Sequence, residues 1–292
     1  AGNDGSANIQ IFFKQGVNPD IAAVNVQNRV ARATPLLPSE VTRSGVVTQK
    51  QQTSALMYLS FYSENKKLDD LKILHLSDLH INKRTSNQNI INLVEFCNAL
   101  DFDFCVITGD IIDTKVKFIK EKLSILNKLK NNVFYISGNH DLFYGLEDLK
   151  NELKNFIFMD NKTFMINHKN ENIYISGLPD RFSKFFKIKR EVEKIEDYLK
   201  KSPSIFISHQ PKDYKIATKS NASLFLCGHT HGGQIYPFHY FVKLVQPFLA
   251  GLFYRKNTAI YVNKGVGTWG INFRYKANAE ITILKLISKT VE

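Results

Sequence analysis

The sequence predicts an α/β protein, with two stacked mixed β-sheets flanked by helices and a small N-terminal βαβ unit of the α+β kind. Three observations carry this. From Leu71 on, short apolar runs end in polar clusters, as strands buried on both faces do. The early runs alternate with helical patterns, which points to a sheet covered by helices. The later runs follow one another without long helices, which points to a second sheet lying on the first.

Residues 1–64 differ from the rest, being rich in Gln, Val, Ala, Ser and Thr and poor in Lys. "ANIQIFF" alternates as a strand does. "NPDIAAVNVQNRVARATPLLP" reads as a helix: Asn18 or Asp20 caps it, Ile21, Val24, Val30 and Ala33 supply apolar positions, and Pro35 stops it. "GVVTQKQQTSALMYLSFYS" reads as one or two strands. So short a unit is marginal for standing alone. The polar "SENKKLDD" then divides the chain into residues 1–64, a linker over 65–70 and a main domain over 71–292.

In the main domain, "LKILHLSDLH", "FDFCVITGD", "NNVFYISGNHD", "NIYISGLPD", "SIFISHQP", "ASLFLCGHTH", "AIYVNKGVG" and "EITILKL" read as strands with functional ends. "NIINLVEFCNAL" and "VKFIKEKLSILNKLK" read as helices. "DRFSKFFKIKREVEKIEDYLKK", residues 180–201, reads as a helix with a basic start. It either meets phosphate or anionic headgroups or is a solvated face with i,i+4 ion pairs. "YPFHYFVKLVQPFLAGLFYR", residues 236–255, is aromatic and aliphatic. It reads either as an acyl pocket or lipid-touching segment, or as a stretch buried against the second sheet.

The 292 residues are 43% hydrophobic, enough for a substantial core. Cys97, Cys105 and Cys227 form no CxxC pair, and the apolar runs around Cys105 and Cys227 read as buried thiols in a reducing compartment. The net charge is +12, and residues 65–292 carry +11 of it. Such a balance suits phosphate groups, anionic lipid or nucleic acid, or else marks a Lys-rich solvated surface. No run of 18 apolar residues argues for a spanning helix. The opening AGNDGSAN shows no signal-peptide pattern and looks cut from something longer. The expected location is cytoplasmic, with peripheral contact at the inner face of the membrane.

The chemistry gathers at strand ends, where ligands bind in open α/β sheets. Five ends carry metal-capable side chains: Asp78 and His80; Asp110 and Asp113; Asn139, His140 and Asp141; His209; His229 and His231. Carboxylate, imidazole and amide oxygen suit Mn²⁺, Fe or Zn²⁺ and, less selectively, Mg²⁺. The donors outnumber what one ion needs, so two divalent ions sharing a bridging carboxylate are expected. Such a pair clamps the oxygens of a phosphoryl displacement and lowers the pKa of bound water. His75 reads as core or second shell, His168 as surface, and Asp141 as a backbone-bonding turn residue. Asp113 either caps a helix or supports an imidazole.

"SDLH", "TGDIID", "SGNHD", "SHQP" and "GHTHGGQ" resemble the calcineurin-like metallophosphoesterases, motif by motif and in order, over about residues 70–287. The tail "GGQIYP…AGLFYR…IYVNKGVGTWGINFR…AEITILKL" looks like a branch of small bacterial enzymes that are often membrane-associated. Some of these cleave the pyrophosphate of UDP-2,3-diacylglucosamine. The resemblance implies that Asp78, His80 and His231 hold the first ion, that Asn139, His209 and His229 hold the second, and that Asp110 bridges. It implies that His140 donates a hydrogen bond or proton at the scissile phosphate, with Asp113 behind it. Arg274 and Trp269 are candidates for contact with the substrate. "DIAAVNVQNRVARATPLLPSEV" resembles part of the periplasmic porter region of RND-type multidrug efflux transporters, over about residues 5–64. It implies ancestry for that segment and not transport.

The leading expectation is therefore a metal-dependent hydrolase of a phosphoester or pyrophosphate bond. Its substrate would be a phosphorylated small molecule or a lipid- or nucleotide-sugar-linked one. A nuclease or cyclic-nucleotide phosphodiesterase is the alternative, although no nucleic-acid module is present and no specific nucleic acid is expected. A non-catalytic binding protein or a transporter-derived fragment are the readings from other classes.

Overall fold

The computed structural model describes residues 19–39, 42, 55–63, 68–201 and 203–288. The chain divides into two compact units, Ala1–Thr53 and Ser54–Glu292. Within the first, helix α1 spans Pro19–Ala33 and passes into a 3₁₀ turn, Thr34–Leu36, with Pro35 near its start. The predicted strand over residues 7–13 lies outside the described residues. The strand expected before the linker forms as β1 (Ala55–Ser63), and it belongs to the larger unit, where it pairs in parallel with the last strand, β12 (Glu280–Ser288).

The larger unit has two six-stranded sheets. The first has the order β1-β12-β2-β3-β4-β5, with β2 Lys72–Leu76, β3 Phe104–Ile107, β4 Asn132–Tyr135 and β5 Phe156–Phe158. Strands β2 to β5 run parallel, and β12 lies antiparallel to β2. The second sheet has the order β10-β11-β9-β8-β7-β6. Its strands are β6 Lys162–His168, β7 Glu171–Gly177, β8 Ser204–Ile207, β9 Leu224–Cys227, β10 Gly251–Arg255 and β11 Thr258–Val262. Here β7, β8, β9 and β11 are parallel, and antiparallel β6 and β10 close the edges.

Alternation decides what each face meets. Ile73, Phe104, Val106 and Phe134 of the first sheet pack between the sheets against Ile175, Ile205, Leu226 and Tyr261 of the second. Their neighbours Leu74, Leu76, Cys105 and Val133 face the opposite way, toward helices α2 (Asn87–Ala99), α3 (Lys120–Leu126) and α5 (Leu146–Glu152). On the outer face of the second sheet, Phe206, Phe225 and Ile260 meet α6 (Val192–Leu199) and α7 (Tyr214–Lys219). The result is four layers, helix–sheet–sheet–helix. Cys97, Cys105 and Cys227 are all buried free thiols. His75 sits between the sheets, where burial lowers its pKa to about 3, and its Nε2 lies 2.9 Å from Thr108 Oγ1. His168 is tied to the surface through the Asp69 carbonyl, 3.0 Å from its Nε2.

Two predicted segments differ in detail. The helix expected over 180–201 breaks into a 3₁₀ turn, Arg181–Phe186, a left-handed Lys187 (φ 57°) and α6. Asp180 accepts the Phe182 N–H at 2.7 Å, which opens the turn, and Arg190 is anchored on the Pro179 carbonyl at 2.9 Å. These polar anchors override the helical spacing of Phe182, Phe185 and Phe186, which stay partly or largely exposed. In the segment 236–255, Phe248 is buried on the second sheet, but helix α8 (His239–Val245) buries none of its residues.

Candidate metal centre

The site lies at the carboxyl ends of β2, β3, β4, β8 and β9, the predicted place. Each ligand-bearing loop leaves its strand within four residues. Asp78 (φ 50°), His80 (46°), Asp110 (54°), His229 (72°) and His231 (53°) all adopt left-handed backbone. That conformation costs about 1–3 kcal/mol for a non-glycine residue, and here it turns side chains that an extended strand would send to opposite faces. Backbone bonds hold the turned segments together: Asp78 N–H donates to the Gly109 carbonyl and His80 N–H to the Asp110 carbonyl, both at 3.0 Å. Asn139 and His140 solve the same problem differently, because α4 (Asn139–Tyr144) begins at Asn139. Gly138 has to be bare there, since a Cβ on it would lie 2.1 Å from Asp110 Oδ1.

The predicted donors converge. In one group, His231 Nε2 is 3.3 Å from Asp78 Oδ1 and 3.1 Å from His80 Nε2. In the other, His209 Nε2 is 3.1 Å from Asn139 Oδ1 and 3.1 Å from His229 Nδ1. Asp110 Oδ2 stands between the groups, 3.7 Å from His80 Nε2 and 3.2 Å from His209 Nε2. The other oxygen of each acid is already occupied. Asp78 Oδ2 accepts Ser77 Oγ–H at 2.5 Å and His229 N–H at 2.9 Å, and Asp110 Oδ1 accepts His140 N–H at 2.8 Å. Asp78 Oδ1 is buried with no hydrogen-bond donor among the described residues. His209 Nδ1 donates to the Thr108 carbonyl at 2.7 Å, which aims Nε2 at Asp110, Asn139 and His229.

Two buried carboxylates facing these ring nitrogens favour positive charge at the centre. Burial works against the His209 imidazolium, but the charge and hydrogen bond of Asp110 outweigh it and hold its pKa well above the ordinary value. Burial also works against the Asp78 carboxylate, yet the nearby His231 and His80 imidazoles hold its pKa well below the usual range. Burial, with His209 nearby, lowers His229 to about 3, and burial lowers His231 to about 4, so both present neutral imidazoles. These residues fit divalent cations in donor type, charge and spacing.

Beside the cluster, His140 Nδ1 lies 2.7 Å from Asp113 Oδ1. Burial disfavours its charged form, but the Asp113 hydrogen bond and the Asp110 charge outweigh that and raise its pKa. A pocket of about 250 Å³ is lined by His80, Asp110, Asn139, His229 and His231. Phe238, Val242, Val245 and Trp269 form an apolar wall on its other side.

Arg274 is not at this mouth. Only 8% exposed, it turns inward. Its guanidinium donates to the carbonyls of His231, Lys264, Gly265 and Ala277 at 2.9–3.2 Å, and its Nη2 lies 3.1 Å from His231 Nδ1. Burial lowers its pKa to about 10. It is a clamp on a donor loop rather than a group presented to a ligand. Asp141 is the backbone-bonding residue expected, and it also ties two donor loops together. It is fully buried and accepts the N–H groups of Asp110, Ile111, Ile112 and Gly138 at 2.7–3.1 Å, and Tyr135 O–H at 2.6 Å. Burial, then the charge of Asp110, raises it to about 6. Its place in "GNHD", next to Asn139 and His140, was the available signal.

Known proteins match on both parts of the chain. The calcineurin-like phosphoesterase family matches residues 71–233. An uncharacterized metallophosphoesterase of Helicobacter pylori is 36% identical over 234 residues, 76% of this chain and 62% of that protein. A transmembrane protein with metallophosphoesterase domain from Danio rerio is 28% identical over 243 residues, 76% of this chain and 54% of that protein. The chain thus spans about three fifths of the length of the bacterial relative. Residues 1–95 match the AcrB/AcrD/AcrF family. The multidrug export protein AcrF of Escherichia coli is 48% identical over 61 residues, 21% of this chain and 6% of that protein. With an efflux-type fragment at its N-terminus and this divalent-metal geometry at its strand ends, the chain belongs, through its larger unit, to the calcineurin-like phosphoesterases.

Proposed function

We propose that the chain hydrolyses a phosphoester or pyrophosphate bond in a substrate that joins its phosphate to an apolar or bulky portion. The observation that carries this is Asp110 Oδ2 standing between two donor groups, 3.7 Å from one and 3.2 Å from the other. Asp78, His80 and His231 would hold one ion and Asn139, His209 and His229 the second, with Asp110 shared. The donor set holds no thiolate and suits Mn²⁺, Fe or Zn²⁺. When bound, such a pair neutralises phosphoryl oxygens and makes water a nucleophile near neutral pH.

The chain's own residues do the rest. His140, with its Nδ1 bonded to Asp113, keeps Nε2 as the free nitrogen. The hydrogen bond and charge of Asp113 and the charge of Asp110 favour the protonated imidazole, which would give its proton to the leaving oxygen. The wall of Phe238, Val242, Val245 and Trp269 excludes water and accepts the apolar portion. Lipid-linked and nucleotide-sugar substrates match this pairing of a metal-lined floor with an apolar side.

The test is hydrolysis of bis-p-nitrophenyl phosphate by Mn²⁺-loaded protein. Asp110→Asn is expected to abolish it, and His140→Ala to lower kcat by roughly 10²- to 10⁴-fold while metal content stays at the wild-type level. A lipid pyrophosphate is expected to show a higher kcat/KM than the simple diester. If single-stranded DNA is cleaved faster than either, the nuclease reading replaces the lipid one. If the metal-loaded protein hydrolyses none of them, the enzymatic reading fails.

A further inference from the structure

Two exposed surfaces border the metal pocket, and the chemistry just described leaves their outward faces unused. The first is the irregular stretch from Arg181 to Arg190. Phe185 there is 68% exposed, and Lys184 Nζ lies 4.8 Å from its ring centroid. A groove of about 840 Å³ runs along the stretch, and no acidic side chain lines it. Arg181 and Arg190 share one carboxylate, Asp213, at 2.8 and 2.5 Å, and Lys189 pairs with Glu193 at 3.5 Å. Lys184, Lys187 and Lys212 have no carboxylate partner among the described residues, and they face outward. The stretch packs on α4, the helix that carries Asn139 and His140. The ring of Phe143, itself 61% exposed, is 5.3 Å from Phe186 and 6.2 Å from Phe182.

The second surface is α8. It buries none of its residues, yet its sequence is HYFVKLV, and Leu244 is 82% exposed. Tyr240 and Phe241 stand outward beside it, with Lys243 as the only charged group on the helix. Its Val242 and Val245 line the metal pocket. The pocket is thus bordered by a lysine-rich aromatic stretch on the α4 side and by an apolar helix on the other.

We propose that these two surfaces form one docking face for an anionic lipid bilayer. Lys184, Lys187 and Lys212 meet headgroup phosphates, and Phe143, Phe185, Phe241 and Leu244 enter the interfacial layer. The pocket then opens onto the bilayer. This deepens the proposed function by naming the surface from which the substrate is drawn. Charge complementarity selects the occupant: unpaired lysines without acids suit an anionic surface, and their aromatic neighbours suit its apolar margin. Nucleic acid would satisfy the lysines but would leave Phe241 and Leu244 without a partner.

The experiment is co-sedimentation of the full chain with phosphatidylcholine vesicles and with vesicles containing phosphatidylglycerol, at low and high salt. Single-stranded DNA serves as a separate probe. Wild type is expected to sediment with the anionic vesicles, less so at high salt. Lys184→Ser/Lys187→Ser is expected to weaken that binding roughly thirtyfold. Phe241→Ser/Leu244→Ser should weaken binding to both kinds of vesicle. Both double variants are expected to hydrolyse bis-p-nitrophenyl phosphate like wild type, since neither touches the donor cluster, and this also shows that they are folded. The proposal is overturned if wild type ignores anionic vesicles, if both variants bind as wild type does, or if the lysines serve DNA while vesicles stay unbound. Failure of the hydrolase reading would appear as lost turnover with vesicle binding intact, so the two are separable.

Discussion

Asp113 and Arg274 show how two side chains set the properties of their neighbours in the site. Asp113 raises the His140 pKa by a hydrogen bond and by charge. A group that must be protonated to act loses activity as pH rises through its pKa, so a raised pKa extends activity to higher pH. Asp113→Asn removes the charge, and the alkaline limb of kcat/KM is expected to move to lower pH. A pH–rate profile of the two proteins checks this, and an unmoved limb would detach Asp113 from the chemistry. Arg274 fastens the His231 carbonyl and ring edge together with the Gly265 loop behind Asp78. Lysine keeps the charge but not the planar fork that reaches several carbonyls at once. Arg274→Lys is therefore expected to cost roughly 10- to 100-fold in affinity for the ion proposed for Asp78, His80 and His231, as loss of other groups that orient ligands does. The second ion should stay in place, which metal titration followed by calorimetry would show as two unequal sites.

At the level of elements, the central strands were legible because they are buried on both faces and end in polar clusters, whereas β5, β6 and β10, which are more exposed, were not read. The runs around Ile73, Val106, Phe134 and Leu226 read as strands and are strands. The donor residues were legible because all sit just past such runs. What the pattern did not carry was backbone shape and direction. Nothing local marks Asp78 or His231 as left-handed; contacts from distant loops impose it. Arg274 follows a glycine-rich run and reads like a phosphate contact, but its direction depends on carbonyls of Lys264 and Ala277 that periodicity does not place. The split of the 180–201 helix likewise comes from Asp180 and Asp213, whose partners are fixed only in the fold. Packing at this scale gives its own prediction. Phe134 is fully buried between the sheets, with Phe104 at 5.4 Å in an edge-to-face contact. Phe134→Ala is expected to cost about 3–5 kcal/mol by leaving a cavity, read as a lower urea midpoint at unchanged slope.

For the whole molecule, the main question is how the efflux-type segment relates to the phosphoesterase unit. Strand β1 lies inside the stretch that resembles the transporter, yet it completes the first sheet through a parallel register from Ala55↔Glu280 to Ser63↔Ser288. It covers the edge of β12, which would otherwise offer an unpaired row of N–H and C=O groups. A chain starting at Ser54 is therefore expected to stay soluble and to keep full turnover. One starting at Asp69 should aggregate more readily and melt earlier. Light scattering and thermal melts of the two truncations decide the matter, and equal behaviour would show that β1 is dispensable.

The five left-handed donor residues carry a temporal consequence. Their positions run from 78 to 231 and depend on loops from both sheets. An unfolded chain holds none of these dihedrals, so no native-like chelate can exist before the layers have joined. Cations would then enter late, as a lock on an assembled scaffold rather than as a seed for collapse. Refolding rates should be nearly indifferent to added Mn²⁺, while unfolding should slow in its presence.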